Sequence, residues 1–421
     1  MKRYSGLVVS LVVLGSIMVS IFASSNSSHA EATTKSAGSF FDVKSNFWAK
    51  SSIDYAVSKG YLKGVGNGLF KPDAPVTRAE LAAVLSRVSI NTENQVNGEF
   101  PDLAGHWSKD EVNRAAALGF FKPIDFPNGF KPTQKLTRTE MAKWMVHGLA
   151  AHDADFGQAL KDTADTLVPV AEYYKGGLNK LDYPIVSVAL GTGLMTGYPD
   201  GTFGTGKTTT RAEVAAILMR YESIQTKAAN SYRDLNEMRA LATQGTNLEI
   251  ITPYVIDPVK KFTNILNKKI STRNNIGTLK LKRMVVVDYN KSKQMKGVYA
   301  PLFVDKTVTG SDEYFYTFSE VSFTPNVDKL EENTFVNGSS LNIASSMGIR
   351  APEAQRKYGI LSIEPEWYPS IFKKGIESTF WVGYWIKRNN DPKSNSIEGD
   401  IYTIDGGFTT IISIPRESKK I

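Results

Sequence analysis

Arg78, Arg138 and Arg211 each follow a threonine and stand two residues before a glutamate, in Thr77-Arg78-Ala79-Glu80, Thr137-Arg138-Thr139-Glu140 and Thr210-Arg211-Ala212-Glu213. A guanidinium presents a planar fork of donors that matches a carboxylate or a phosphate. Three copies of one box in one chain therefore point to a single anion-recognition device used three times. The box also states what positions the arginine. A Thr followed three residues later by Glu, ahead of an apolar run, is a capping-box signature: the Thr hydroxyl accepts from the N3 amide and the Glu carboxylate reaches back to the N-cap amide. Helical spacing follows each copy, through Leu81, Val84 and Leu85, through Met141, Trp144 and Met145, and through Val214, Ile217 and Leu218. Thr77, Glu80, Thr137, Glu140, Thr210 and Glu213 thus read as helix caps, and each Arg falls in a first helical turn. A cation there does nothing for the helix dipole, so the Arg has no evident structural reason to recur. Beside N-terminal amides it makes a site for an anion.

The repeat extends upstream. Phe70, Phe130 and Phe203 each lie seven residues before their Thr and follow the turn pairs Asn67-Gly68, Asn128-Gly129 and Asp200-Gly201. Gly60, Gly119 and Gly193 read as helix stops. Trp48 and Trp107 stand twelve residues before the first two stops, and Leu181 takes that place in the third unit. Each unit is then a helix, a Gly-rich loop and a capped helix.

Phe41-Asp42 with Trp48, Phe100-Pro101-Asp102 with His106-Trp107, the Phe-x-Pro of Phe70 to Pro72 and of Phe130 to Pro132, and the three boxes together resemble three S-layer homology (SLH) modules, over roughly residues 40–222. The resemblance implies an all-α-dominated pseudo-trimer, with one helix per module in a three-helix central bundle and loops as prongs. It implies a secreted protein held at the cell wall or cell surface, in an S-layer, without a covalent bond. Its grooves would bind a secondary cell-wall polysaccharide carrying a pyruvate ketal. In that frame Arg78, Arg138 and Arg211 pair with the ketal carboxylate, with helix N-terminal amides as auxiliary donors. Asp42 and Asp102, with Asp162 as the third counterpart, bond sugar hydroxyls or orient an Arg. Trp48 and Trp107 either offer a face to a sugar ring or staple the core under a module's first helix. The modules are unequal: sixty residues separate the first two boxes and seventy-three the next two, with a segment through Glu172-Tyr173-Tyr174-Lys175-Gly176-Gly177 intervening. Pro123-Ile124-Asp125-Phe126-Pro127 replaces the loop glycines of module one.

The remaining segmentation follows composition. Residues 1–30 carry Lys2 and Arg3, an apolar stretch over 6–23 and a small-x-small site at Ser28-His29-Ala30 or Ala30-Glu31-Ala32, the pattern of a signal peptide; an uncleaved anchor is the other reading. Residues 31–39 form a flexible lead. Modules are placed at 40–90, 99–150 and 158–222, the last with an insertion, and a linker with a helix over 232–243 occupies 223–245. Residues 246–421 turn β-rich, with strands expected at 278–288, 297–304, 313–323, 378–387 and 406–415 in a sandwich or barrel.

Composition removes several functions. At 421 residues and 42% hydrophobic content the chain can bury two or three cores. The net charge of +8 is spread without a dense basic stripe, which argues against nucleic acid as a partner. Cysteine is absent, so disulfides and thiolate chemistry are excluded. His106 is one of four histidines and has no companion at ligand spacing, so no metal site and no cofactor is expected. Residues 246–421 hold no His, which removes Ser-His-Asp chemistry. A carboxylate pair remains in Glu364 and Glu366, beside Trp367 and Tyr368, and two carboxylates are the minimum for glycoside hydrolysis. Pro365 between them reads as a turn. Trp381, Tyr384 and Trp385 read as strand core or as a carbohydrate platform. The expectation is a non-enzymatic surface-layer or interaction module that contacts itself or other surface proteins, with no membrane contact after signal cleavage. The alternative is a wall-anchored glycan hydrolase using Glu364 and Glu366.

Overall fold

The computed structural model describes residues 40–96, 98–338, 351–363, 371–388, 399–402 and 409–413. The expected signal peptide, the lead after it, and Glu364 and Glu366 lie outside the described residues.

Each repeat folds as a short helix and a longer capped helix: α1 (Lys50–Ser58) with α2 (Arg78–Val88), and α3 (Lys109–Ala117) with α4 (Arg138–His152). The third repeat inserts α5 (Ala154–Asp162) and α6 (Ala171–Lys175) before α7 (Tyr183–Gly191) and α8 (Arg211–Ile224). Short helices pack on the long helix of a neighbouring repeat, α3 on α2, α7 on α4 and α1 on α8, so the three repeats close in a ring. Backbone hydrogen bonds close it at the centre. The Val76 amide donates to the Thr209 carbonyl at 2.9 Å, Thr209 to Leu136 at 3.1 Å, and Leu136 to Val76 at 2.9 Å. All three residues are buried immediately before a box, so the stretch leading into each helix serves as one side of a triangle. Phe70, Phe130 and Phe203 are fully buried beneath the loops.

The linker helix is α9 (Arg233–Gln244), within one residue of its expected bounds at each end. It packs on α7 and α5, where Arg239 bonds Asp162 at 2.8 Å and Asp155 at 3.0 Å. α10 (Leu248–Ile251), β1 (Val255–Ile256) and β2 (Ile270–Ser271) lead into β3 (Gly277–Tyr289), β4 (Met295–Lys296), α11 (Ala300–Phe303) and β5 (Tyr314–Pro325). Then come α12 (Glu332–Gly338), α13 (Pro352–Tyr358), β6 (Ser378–Lys387), β7 (Gly399–Tyr402) and β8 (Thr409–Ser413). The strand expected over 297–304 is instead α11, because Pro301 has no amide for a ladder and suits the first turn of a helix.

Two antiparallel sheets form, one in the order β2-β3-β5-β6 with β4 beside β3, the other β1-β8-β7. A bulge between Leu281 and Arg283 resets the alternation in β3. Leu279, Leu281, Met284 and Val286 therefore share one face, while Val285, Val287 and Tyr289 take the other. Among the described residues no strand of the other sheet lies on that second face. It is covered by Leu167 and Ala171 of the insertion, Met238 and Leu241 of α9, α11 and α13. Beside this core, Tyr173 and Tyr174 of α6 reach the Arg283–Glu320 ion pair of the sheet, 2.8 Å long. Among the described residues the C-terminal region holds two antiparallel sheets, the larger backed by helices on one face, and Ser39–Ile421 is one compact unit.

Candidate functional site

Two grooves open where repeats meet. Groove one, about 360 Å³, is lined by Arg78, Asp125, Phe126, Glu140, Lys143, Trp144 and His147. Groove two, about 140 Å³, is lined by Trp48, Arg138, Tyr198, Glu213 and Arg220. Box arginines stand in both, and each reaches into the loop of the next repeat. Arg78 donates from Nη1 to the Phe130 carbonyl at 2.7 Å and pairs with Glu140 at 2.7 Å. Arg138 donates from Nη2 to the Thr196 carbonyl at 2.6 Å and lies 3.8 Å from Glu213. Arg211 donates from Nε to the Phe70 carbonyl at 2.8 Å and from Nη2 to the Lys63 carbonyl at 2.6 Å.

The arginines therefore have a structural reason to recur after all: they staple one repeat to the next. Burial pulls Arg138 and Arg211 below the usual arginine range, against Tyr198 and Glu213 in the first case and Glu80 and Asp42 in the second. The helix N-terminal amides expected as auxiliary donors are also engaged. Those of Arg78, Arg138 and Arg211 donate to the carbonyls of Gln134, Lys207 and Ala74 in neighbouring repeats, at 2.8 to 2.9 Å.

Capping differs among the three helices. The boxes of α2 and α8 are complete: the Thr77 and Thr210 hydroxyls accept from the Glu80 and Glu213 amides, and the threonine amides donate to the glutamate carboxylates in return. In α4 only half forms. Thr137 accepts from the Glu140 amide at 3.2 Å, but the Glu140 carboxylate turns to the Arg78 guanidinium.

Asp42 and Asp102 hold loops. Asp42 accepts from the amides of Phe70 at 2.9 Å and Lys71 at 2.7 Å, and Asp102 from those of Phe130 at 3.0 Å and Lys131 at 2.7 Å. Lys71 and Lys131 have φ of +57° and +55°, a left-handed conformation that these bonds secure. Gly129 has φ +84°, and a Cβ there would lie 2.9 Å from Asp102 Oδ2, so only glycine admits the carboxylate. Burial works against the charge on both aspartates. It is outweighed by the backbone donors, with Arg211 acting on Asp42 and Arg78 on Asp102, and both sit below the usual carboxylate range.

The third counterpart is Glu172, which accepts from the Phe203 and Gly204 amides at 2.9 and 2.8 Å. Asp162, assigned that place from sequence, ends α5 and is taken by Arg239. The available signal was an acid followed by an apolar residue, as in Asp42-Val43, Asp102-Leu103 and Glu172-Tyr173.

Trp48 and Trp107 are not core staples: they are 64% and 63% exposed, and Leu181 in the same place is 83% exposed. Trp48 lies on groove two across from Arg138 in sequence repeat and together with it in space. Lys143, His147, Tyr198 and Arg220 line the grooves and were not singled out from sequence. They occupy later helical turns or a loop, outside the repeated motifs.

Residues 39–82, 99–142 and 179–215 match the S-layer homology domain. The chain carries three tandem SLH domains. Glu172 precedes the third match, so that SLH domain borrows its loop-holding acid from the insertion. The chain is 26% identical to S-layer protein sap of Bacillus anthracis over 64% of its length, and 32% identical to cell surface glycoprotein 1 of Acetivibrio thermocellus over 25%. It is 28% identical to exoglucanase XynX of Acetivibrio thermocellus over 44% of its length. It spans 30%, 5% and 16% of those three relatives, respectively. SLH domains with such relatives indicate a cell-surface or cell-wall location. No described helix is long and apolar enough to cross a membrane.

Proposed function

We propose that this chain is anchored non-covalently to the cell wall by its SLH trimer, which binds a pyruvylated secondary wall polysaccharide in the grooves. The observation that carries the reading is groove two. Arg138 is 6% exposed there, its Nε has no hydrogen-bond partner among the described residues, and the exposed Trp48 indole lines the same cavity. A buried guanidinium with a free donor suits a ketal carboxylate, and an indole face suits a sugar ring. The Thr196 carbonyl bond holds the guanidinium in place before any ligand arrives, which lowers the ordering cost of binding. Arg78 plays the same part in groove one and Arg211 at the third junction, while Asp42, Asp102 and Glu172 shape the loops. The C-terminal sheet then acts as the surface-layer or interaction module displayed by the anchor.

Co-sedimentation of the full chain with purified walls tests this, before and after acid extraction of the secondary polymer. Pelleting with unextracted walls alone is the expected result; equal pelleting with extracted walls defeats the reading.

A second reading, a wall-anchored glycan hydrolase, is favoured by the likeness to exoglucanase XynX, 16% of which is matched. Zymography on wall polysaccharide separates the two, since a clearing band lost in Glu364→Gln would establish the hydrolase.

A further inference from the structure

Among the positions at which the helices lining the two grooves differ, one carries a histidine. Ten residues after the box threonine, α2 carries Arg87 and α8 carries Arg220, but α4 carries His147. Arg220 lines groove two and His147 lines groove one. In groove one the lining cations Arg78 and Lys143 are matched by Asp125 and Glu140, so the cavity is electroneutral while the imidazole is neutral. In groove two Arg138 and Arg220 face Glu213 alone, which leaves one positive charge at any pH near neutrality.

The His147 ring is half-buried and has no hydrogen-bond partner among the described residues. Around it stand Lys143 on its own helix, Lys122 and Asp125 on the loop before it, and Arg78 of α2 with its partner Glu140. Asp182, just ahead of α7, lies within electrostatic reach of Lys143. Burial, then Lys143, keep the ring below the ordinary histidine value, with Asp125 opposing and Lys122 assisting. While the ring is neutral, the lining of groove one carries no net charge.

We propose that His147 is a ligand-binding residue that makes groove one an acid-dependent site for a carboxylate-bearing glycan. Protonated, it supplies the uncompensated positive charge there, while groove two takes the same group without a proton. This rests on the carboxylate-binding reading of the grooves given above. A carboxylate seated beside the ring favours its charged form, so binding in groove one takes up a proton whenever the free ring is neutral.

The test uses the full chain with 13C-labelled histidine and 15N-labelled tryptophan, titrated with a methyl hexoside bearing a pyruvate ketal at about pH 5 and about pH 7.5. His147 Cε1–H reports groove one and the Trp48 indole N–H reports groove two. The expected result is a groove-one affinity about fivefold higher at the lower pH, a His147 pKa that rises with bound probe, and a groove-two affinity that does not change. His147→Gln abolishes the pH dependence of groove one and His147→Arg makes its affinity high at both pH values. Equal groove-one affinity at the two pH values, no groove-one binding while groove two fills, or a dependence that survives His147→Gln overturns the proposal and leaves the function reading standing. If neither reporter moves at either pH, both fail.

Discussion

Arg211 donates from Nε to the Phe70 carbonyl at 2.8 Å, joining residues 141 positions apart and the last SLH domain to the first. The same guanidinium satisfies the Lys63 carbonyl and lies 4.5 Å from the Phe70 ring centroid. The ring of domains is thus closed by a side chain as well as by the central backbone triangle. Arg211→Ala leaves two carbonyls without their donor and should cost about 2–4 kcal/mol. Arg78→Ala, on a more open groove edge, should cost less. Denaturant midpoints of the two variants check the order, and a neutral Arg211→Ala would refute the staple.

Asp42 and Asp102 give the anchor an acid limit. Both folded pKa values lie below the unfolded value of 3.8. Their stabilisation is therefore complete above that value and is lost as pH falls through the lower folded values. The Asp42→Asn, Asp102→Asn double variant should unfold less steeply with acid below about pH 4 than wild type. Circular dichroism during acid titration reads this, and superimposable curves would count against the loop-holding role.

Glu237 has the opposite sign. It is fully buried on α9, and burial, with Asp234 beside it, raises its pKa from 4.5 to about 8 against the Asn247 hydrogen bond and Arg233. The folded state holds a proton that the unfolded state has released, so stability is fully present below the unfolded value and falls as pH rises toward about 8. Glu237→Gln should remove that loss, on the order of 3–5 kcal/mol at the alkaline end. Melting temperatures from about pH 5 to pH 9 should slope downward for wild type and stay flatter for the variant.

The α6 insertion joins anchor to sheet. Glu172 holds the third loop, while Lys175 caps α13 through the Arg356 and Lys357 carbonyls at 3.0 and 2.7 Å. Replacing Tyr173 and Tyr174 together with alanine should cost about 2 kcal/mol or more. It should also split a single calorimetric transition into two. One cooperative transition in the variant would show that the tyrosines do not couple the regions.

Trp48 is exposed and supports no core, so Trp48→Ala should change stability by less than about 0.5 kcal/mol. Wall binding should fall several-fold. Full binding by the folded variant would remove the indole from the proposed site.

The sequence by itself determined the elements whose signals are local. A Thr, a Glu three residues on and an apolar period specify a capped helix without reference to the rest of the chain, and the three capped helices are present. Dense β-branched and aromatic runs likewise placed β3, β5 and β6, the last over residues 378–387. The SLH modules were legible because those signals recur at linked spacings.

Tertiary structure decided the partners. A guanidinium's acceptor 52 or 141 residues away leaves no trace in a four-residue box, so the arginines looked free of structural work until the ring closed. Glu140 gave up its capping return for the same reason, since Arg78 arrives from another domain with a full charge. Glu172 replaced Asp162 because the insertion carries the chain away and back, and only the folded path shows which carboxylate returns to the Phe203 amide. Helices cover one face of the larger C-terminal sheet because α6, α9, α11 and α13 supply the apolar surface that its strands need buried. The inequality of the two grooves was present as a His among Arg residues, but it acquired meaning only when folding placed Asp125 and Glu140 in one cavity with it.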